Sequence, residues 1–93
     1  MEIRYYVDPE TGLPHIYRHD VDEQDLEDVP SRPIEDRPGR DGSRVALGRS
    51  QAGRYLRVIY VPDSVPDSVF VITGYPLGGK AMRALRRRRR RKS

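Results

Sequence analysis

Two runs hold most of the apolar residues of this chain. Arg54–Val61 and Ser68–Tyr75 are rich in β-branched and aromatic side chains. Both are bounded by Gly, Pro and Asp, which is the pattern of strands on a pleated, half-buried surface. Their connection, Pro62–Asp67, carries two prolines and two aspartates, which favour a turn and cannot extend a ladder. An antiparallel hairpin at the centre of a sheet follows. Alternation puts Arg57 on the face of Tyr55 and Ile59, and Arg54 on that of Leu56, Val58 and Tyr60.

The flanking segments are weaker versions of the same pattern. Arg44–Gly48 reads as a strand with Val45 and Leu47 on one face, and Ile34–Gly39 as an edge strand. Asp41-Gly42 between them suits a tight hairpin turn. Ile3–Val7 is a short strand, ended by the turn Asp8–Gly12. Leu13–Arg18 reads as a second short strand or an irregular edge, with Pro14 arguing against a central place. The clearest helix start is Asp22 as N-cap, with Asp25 at N3 and Val21 positioned to staple onto Leu26. Pro30 keeps that helix short and leaves Leu26 and Val29 as its buried side.

The expected fold is α+β: an antiparallel β-meander of three to five strands packed against a short helix in the N-terminal half. A C-terminal helix or basic tail follows. Residues 1–79 form one compact domain. Residues 80–93 start as a helix through Ala81, Met82 and Leu85, then fray into a partly disordered end as like charges repel.

Charge sharpens this division. Residues 1–79 carry nine arginines against fourteen carboxylates, a net of −5; residues 80–93 carry nine cations and no acid, and together they give the formal +4. An acidic body with a basic end marks an interaction tail. No apolar run approaches the roughly 20 residues that span a bilayer, and no secretory leader pattern is present, so a cytoplasmic protein is expected. The absence of cysteine excludes disulfides, thiolate metal sites and a thiol nucleophile.

The candidate chemistry is basic and aromatic. Lys80, Arg83, Arg86, Arg87, Arg88, Arg89, Arg90, Arg91 and Lys92 are suited to track a phosphate backbone and release counterions, so RNA or DNA is the expected partner. The competing readings are a solvated tail with no role, or one that folds back onto Asp20–Asp36, which holds eight carboxylates, or onto an acidic partner. His15 and His19 are four residues apart, but Pro14 and the helix start at Asp22 argue against a helical metal pair, and no metal is expected. His19 suits a proton-transfer role or a simple packing role at the helix entry. Arg57, inside an apolar strand, suits stabilisation of developing phosphate charge, or else a cross-strand carboxylate or water.

Three stretches in series carry a family resemblance: Arg18-His19-Asp20-Val21-Asp22-Glu23, Gly53–Tyr60 and Val71-Ile72-Thr73-Gly74-Tyr75. Over roughly residues 16–77 the chain resembles the small BrnT-like toxins and related uncharacterised domains of the RelE-type superfamily. It departs from their pattern at Asp20, where a glycine is usual, at Pro30, which cuts the helix, and in the arginine block. The resemblance implies a helix on one face of an antiparallel sheet. It also implies a type II toxin: a metal-independent mRNA endoribonuclease without cofactor, neutralised by a cognate antitoxin. In such enzymes the 2′-hydroxyl attacks the adjacent phosphate, and the protein supplies acid–base groups and cations. Arg18, His19, Arg54 and Tyr75 fall on matching motif positions. The expected catalytic set is therefore His19, Arg54, Arg57 and Tyr75, the arginines stabilising phosphate charge and His19 or Tyr75 assisting proton transfer. The alternative is a non-catalytic domain that binds RNA or the ribosome through its arginine tail.

Overall fold

The two apolar runs pair as expected. The structure is a computed structural model that describes residues 1–92, with side chains as far as Arg91. Its strands are β1 (Glu2–Tyr5), β2 (Glu35–Pro38), β3 (Arg44–Arg49), β4 (Tyr55–Pro62) and β5 (Ser68–Pro76). They form a single sheet in the order β1-β5-β4-β3-β2. From β2 to β5 the chain is an antiparallel meander with β4 at its centre. Asp41 and Gly42 both take positive φ, 54° and 80°, in the turn from β2 to β3, the conformation that two-residue hairpin loops require.

The N-terminal segment departs from expectation. β1 adds in parallel to the outer edge of β5, Ile3 opposite Val69 and Tyr5 opposite Val71, so the sheet is mixed. Leu13–Arg18 is not a returning strand. Only a bridge between Val7 and Pro14 remains of that pairing, and His15–His19 forms a 3-10 helix. Pro14, with φ −52°, is already set for helix entry, and Asp20 closes the helix in the left-handed region at φ 59°. The gain is burial of Ile16, which is 1% exposed in the core. The same helix brings His15 and His19 to one side, an arrangement that the reading of Pro14 had argued against.

Helix α1 (Glu23–Leu26) starts where the sequence places it. Asp22 Oδ1 accepts from the Asp25 backbone N–H at 2.8 Å, and Asp25 Oδ2 accepts from that of Asp22 at 3.2 Å, a complete capping box built with aspartate at N3. Leu26 and Val29 are fully buried, and each seats over a glycine of the sheet. A Cβ on Gly74 would stand 3.1 Å from Leu26, and one on Gly48 2.9 Å from Val29. The short helix reaches the sheet because these two positions carry no side chain.

Helix α2 (Gly79–Lys92) covers the other face. Ala81, Met82 and Ala84 are half-buried, Leu85 is 1% exposed, and Arg88 extends the same stripe. The helix continues through the arginine block to Lys92 rather than stopping near Leu85. The sheet is therefore covered on both sides, by the 3-10 helix and α1 on one and by α2 on the other.

A single irregularity sets the end of β5. Ile59 pairs with Thr73 and Tyr60 with Val71, so Ile72 is an extra, unpaired residue. Because side chains alternate with period two, one inserted residue exchanges the faces of everything beyond it. Val69 and Val71 point into the α1 core; Thr73 and Tyr75, of the same parity, point to the α2 side.

The packing over Gly48 makes a testable statement. Gly48→Ala is expected to destabilise by about 1–3 kcal/mol in denaturant unfolding, since Val29 is buried and stiff. In a double-mutant cycle the cost shrinks when Val29 is already alanine; simple additivity would refute the contact.

Candidate active site and arginine helix

Register alone brings two of the expected residues together. Arg57 of β4 lies directly opposite Tyr75 of β5, and its guanidinium carbon is 5.9 Å from the tyrosine ring centroid. The Tyr75 ring is 5.7 Å from that of His19, at the end of the 3-10 helix. His15 follows at 5.6 Å from His19, and Tyr6 at 6.1 Å from His15. Arg57, Tyr75, His19, His15 and Tyr6 form one continuous run along the β5 edge.

His15 is held from behind. Its Nδ1 is 3.3 Å from Oδ2 of Asp8, a buried carboxylate that also accepts from Arg18 Nε and from the Glu10 backbone N–H. The Arg18 side chain, with help from that backbone bond and from His15, holds the Asp8 carboxyl below the usual carboxylate range. A carboxylate only accepts, so Nδ1 is the donor in this contact, and in the neutral ring the lone pair is then on Nε2. Sequence reading weighed His15 only as a metal ligand. Asp8 was read only as part of a turn, and its seven-residue separation from His15 forms no motif.

Arg54 stands apart from this run. Its guanidinium donates to the Asp20 carbonyl at 2.9 Å and to Asp25 Oδ2 at 3.1 Å, tying the end of the 3-10 helix to α1. Arg57 is the opposite case. It is half-buried, its Nε is buried without a hydrogen-bond partner, and among the described residues it has no ion pair. Its direct partner across the ladder is an aromatic ring rather than a carboxylate.

The basic helix divides in two. Lys80, Arg83, Arg86, Arg87, Arg89, Arg90 and Arg91 are exposed. Arg88 turns inward and grips Glu35 with two bonds, Nε to Oε2 at 2.7 Å and Nη2 to Oε1 at 2.9 Å. Arg88 thus folds back onto the acidic segment; the Lys92 side chain lies outside the described residues. Arg88 first, and then Arg37, pull the Glu35 carboxyl below the usual glutamate value against the opposing effect of burial.

Among the described residues no three His, Asp or Glu side chains gather in a way that would hold a metal ion, and no helix is long and apolar enough to cross a membrane. No family model, characterised protein or solved structure matches the chain.

The Arg88–Glu35 pair sets a pH dependence. A carboxyl whose folded pKa lies below its unfolded value adds stability above the unfolded value. That stability is lost as pH falls through the folded one. Unfolding monitored by circular dichroism is expected to show this acid-side loss, with Glu35→Gln reducing it by the share of this pair and leaving that of Asp8 and Asp63. The step is on the order of 1 kcal/mol, because Arg88 keeps part of its hydration. An unchanged acid limb in Glu35→Gln would show that the pair contributes nothing.

Proposed function

We propose that the chain is a metal-independent endoribonuclease of the RelE- and BrnT-like toxin kind, acting on mRNA. The observation that carries this reading is the contiguity of His15, His19, Tyr75 and Arg57, with Asp8 behind His15. Cleavage through the 2′-hydroxyl needs a base to take its proton, an acid to protonate the departing 5′-oxygen, and a cation for the charge that builds on phosphorus. His15, oriented by Asp8, is the base. His19 or Tyr75 delivers the proton to the leaving oxygen, and Arg57 meets the phosphate charge. The products are a 2′,3′-cyclic phosphate and a free 5′-hydroxyl, with no metal in the balance. Arg54 drops out of the catalytic set, since its Nη1 is bound to Asp20 and Asp25, away from the His19–Tyr75–Arg57 run. The partner implied is a cognate antitoxin, and the place of action is the cytoplasm, on free or ribosome-bound mRNA.

A second reading has its own support. The outward arginines of α2 form a dense cationic face that suits a phosphate backbone whether or not the edge site cleaves. On that reading the protein is an RNA- or ribosome-binding module.

Incubation with single-stranded RNA and with translating ribosomes in excess EDTA, followed by analysis of product ends, separates the two. Cyclic-phosphate ends are expected, reduced about a hundredfold or more by His19→Ala and by Arg57→Ala but far less by Arg54→Ala. Cyclic ends that persist in His19→Ala/Arg57→Ala would overturn the site. Intact RNA on both substrates, retained in a complex that weakens steeply with salt, would establish the binding module instead.

A further inference from the structure

Between α2 and the sheet lies a cleft of about 300 Å³, lined by Arg37, Val45, Leu47, Arg57, Ala81, Ala84 and Arg88. Its origin is the register. Glu35, Leu47, Arg57 and Tyr75 form one lateral row on the α2 face, and Arg37 and Val45 begin the next. Alanines on the helix leave space above Leu47 and Val45. Three guanidiniums border this space, and the carboxylate among them is Glu35, bound by Arg37 and doubly by Arg88.

The charges do not balance. Three cations face one anion, and the unmatched cation at the inner end is Arg57, with a buried Nε that has no hydrogen-bond partner. A half-buried cation with only an aromatic ring beside it keeps part of its desolvation cost, and an anion placed beside it offsets that cost. The surplus of two positive charges matches a phosphate monoester dianion better than a single carboxylate. The guanidinium fork also suits phosphate oxygens. The volume is at the lower end for ligand pockets, enough for one nucleotide-sized group.

We infer that this cleft is a binding site for a phosphate monoester, with Arg57 as its main anion contact and Val45, Leu47, Ala81 and Ala84 as apolar walls. The ligand is inorganic phosphate itself or the phosphate of a single nucleotide. Arg57 lines this cleft and also lies over the Tyr75 ring of the proposed cleavage edge, but binding in the cleft needs no cleavage.

The test is titration of the full chain at low salt with inorganic phosphate and, separately, with a nucleoside 3′-monophosphate, observing the Arg57 Nε–H by NMR. Displacement of that resonance is expected, with affinity, read by calorimetry in both proteins, weakened about tenfold or more by Arg57→Met. Ala84→Leu, which fills the helix wall and leaves Arg57 and Tyr75 in place, is expected to weaken binding equally while sparing RNA cleavage. Binding of both ligands with equal affinity identifies phosphate as the recognised group. A nucleotide preference, with contacts from the nucleoside to the Ala81 and Ala84 methyls in the unsubstituted protein, identifies a nucleotide site. No movement of the Arg57 signal with either ligand overturns the inference. So does binding that Ala84→Leu leaves intact in a protein whose melting shows it folded. Either result leaves the ribonuclease reading standing on its own assay.

Discussion

One extra residue in β5 decides what the edge of this sheet presents. Had Ile72 been in register, Tyr75 would share the face of Val69 and Val71 and lie beneath α1. With the bulge, Gly74 takes that inner position and leaves room for Leu26, while Tyr75 comes level with Arg57. The same insertion therefore seats the short helix and assembles the cation–ring pair. Bulges occur often beside functional sites because they re-aim a side chain without breaking the sheet.

The second constraint is electrostatic. A helix ending in a run of arginines repels itself, and α2 has only Ala81, Met82, Ala84 and Leu85 to bury. The two-bond clasp of Arg88 on Glu35 fixes its far end to β2. It also removes one cation from the row and occupies the carboxylate nearest Arg57 along the lateral row. The helix is thus held at its N-terminal turns by apolar contacts and beyond them by the Arg88–Glu35 pair, with the space between forming the cleft.

Local features of the fold were readable from the chain, and distant ones were not. The central hairpin, the capping box at Asp22 and the Asp41-Gly42 turn each depend on residues within a few positions of one another, and all three formed. The parallel pairing of β1 with β5 joins segments more than sixty residues apart and leaves no mark in either one. Leu13–Arg18 has the composition of an edge strand, but burial of Ile16 decided its shape. The site divides in the same way. His19, Arg57 and Tyr75 were named from residue type and resemblance, yet their adjacency depends on the bulge, which alternation along β5 does not reveal. Asp8 carries no local signal, since its role exists only through the fold of the loop that follows it.

Arg57 gains meaning from the arginines around it. On the sheet, Arg4 is paired with Asp63, Arg37 with Glu35 and Arg44 with Asp36, while Arg49 lies exposed over Tyr55. A chain with fourteen carboxylates has ample means to neutralise a strand arginine, and it does so on the edge strands β1 and β2 and at half-buried Arg44 of the interior strand β3. On β4 it instead places Leu47 on one side of Arg57 and Tyr75 on the other. Packing alone would favour an apolar residue there, and ion pairing would favour a carboxylate opposite. A guanidinium given neither has no anion beside it among the described residues. Both proposed roles, a phosphate cleaved at the His19 edge and a phosphate held beneath α2, rest on that observation.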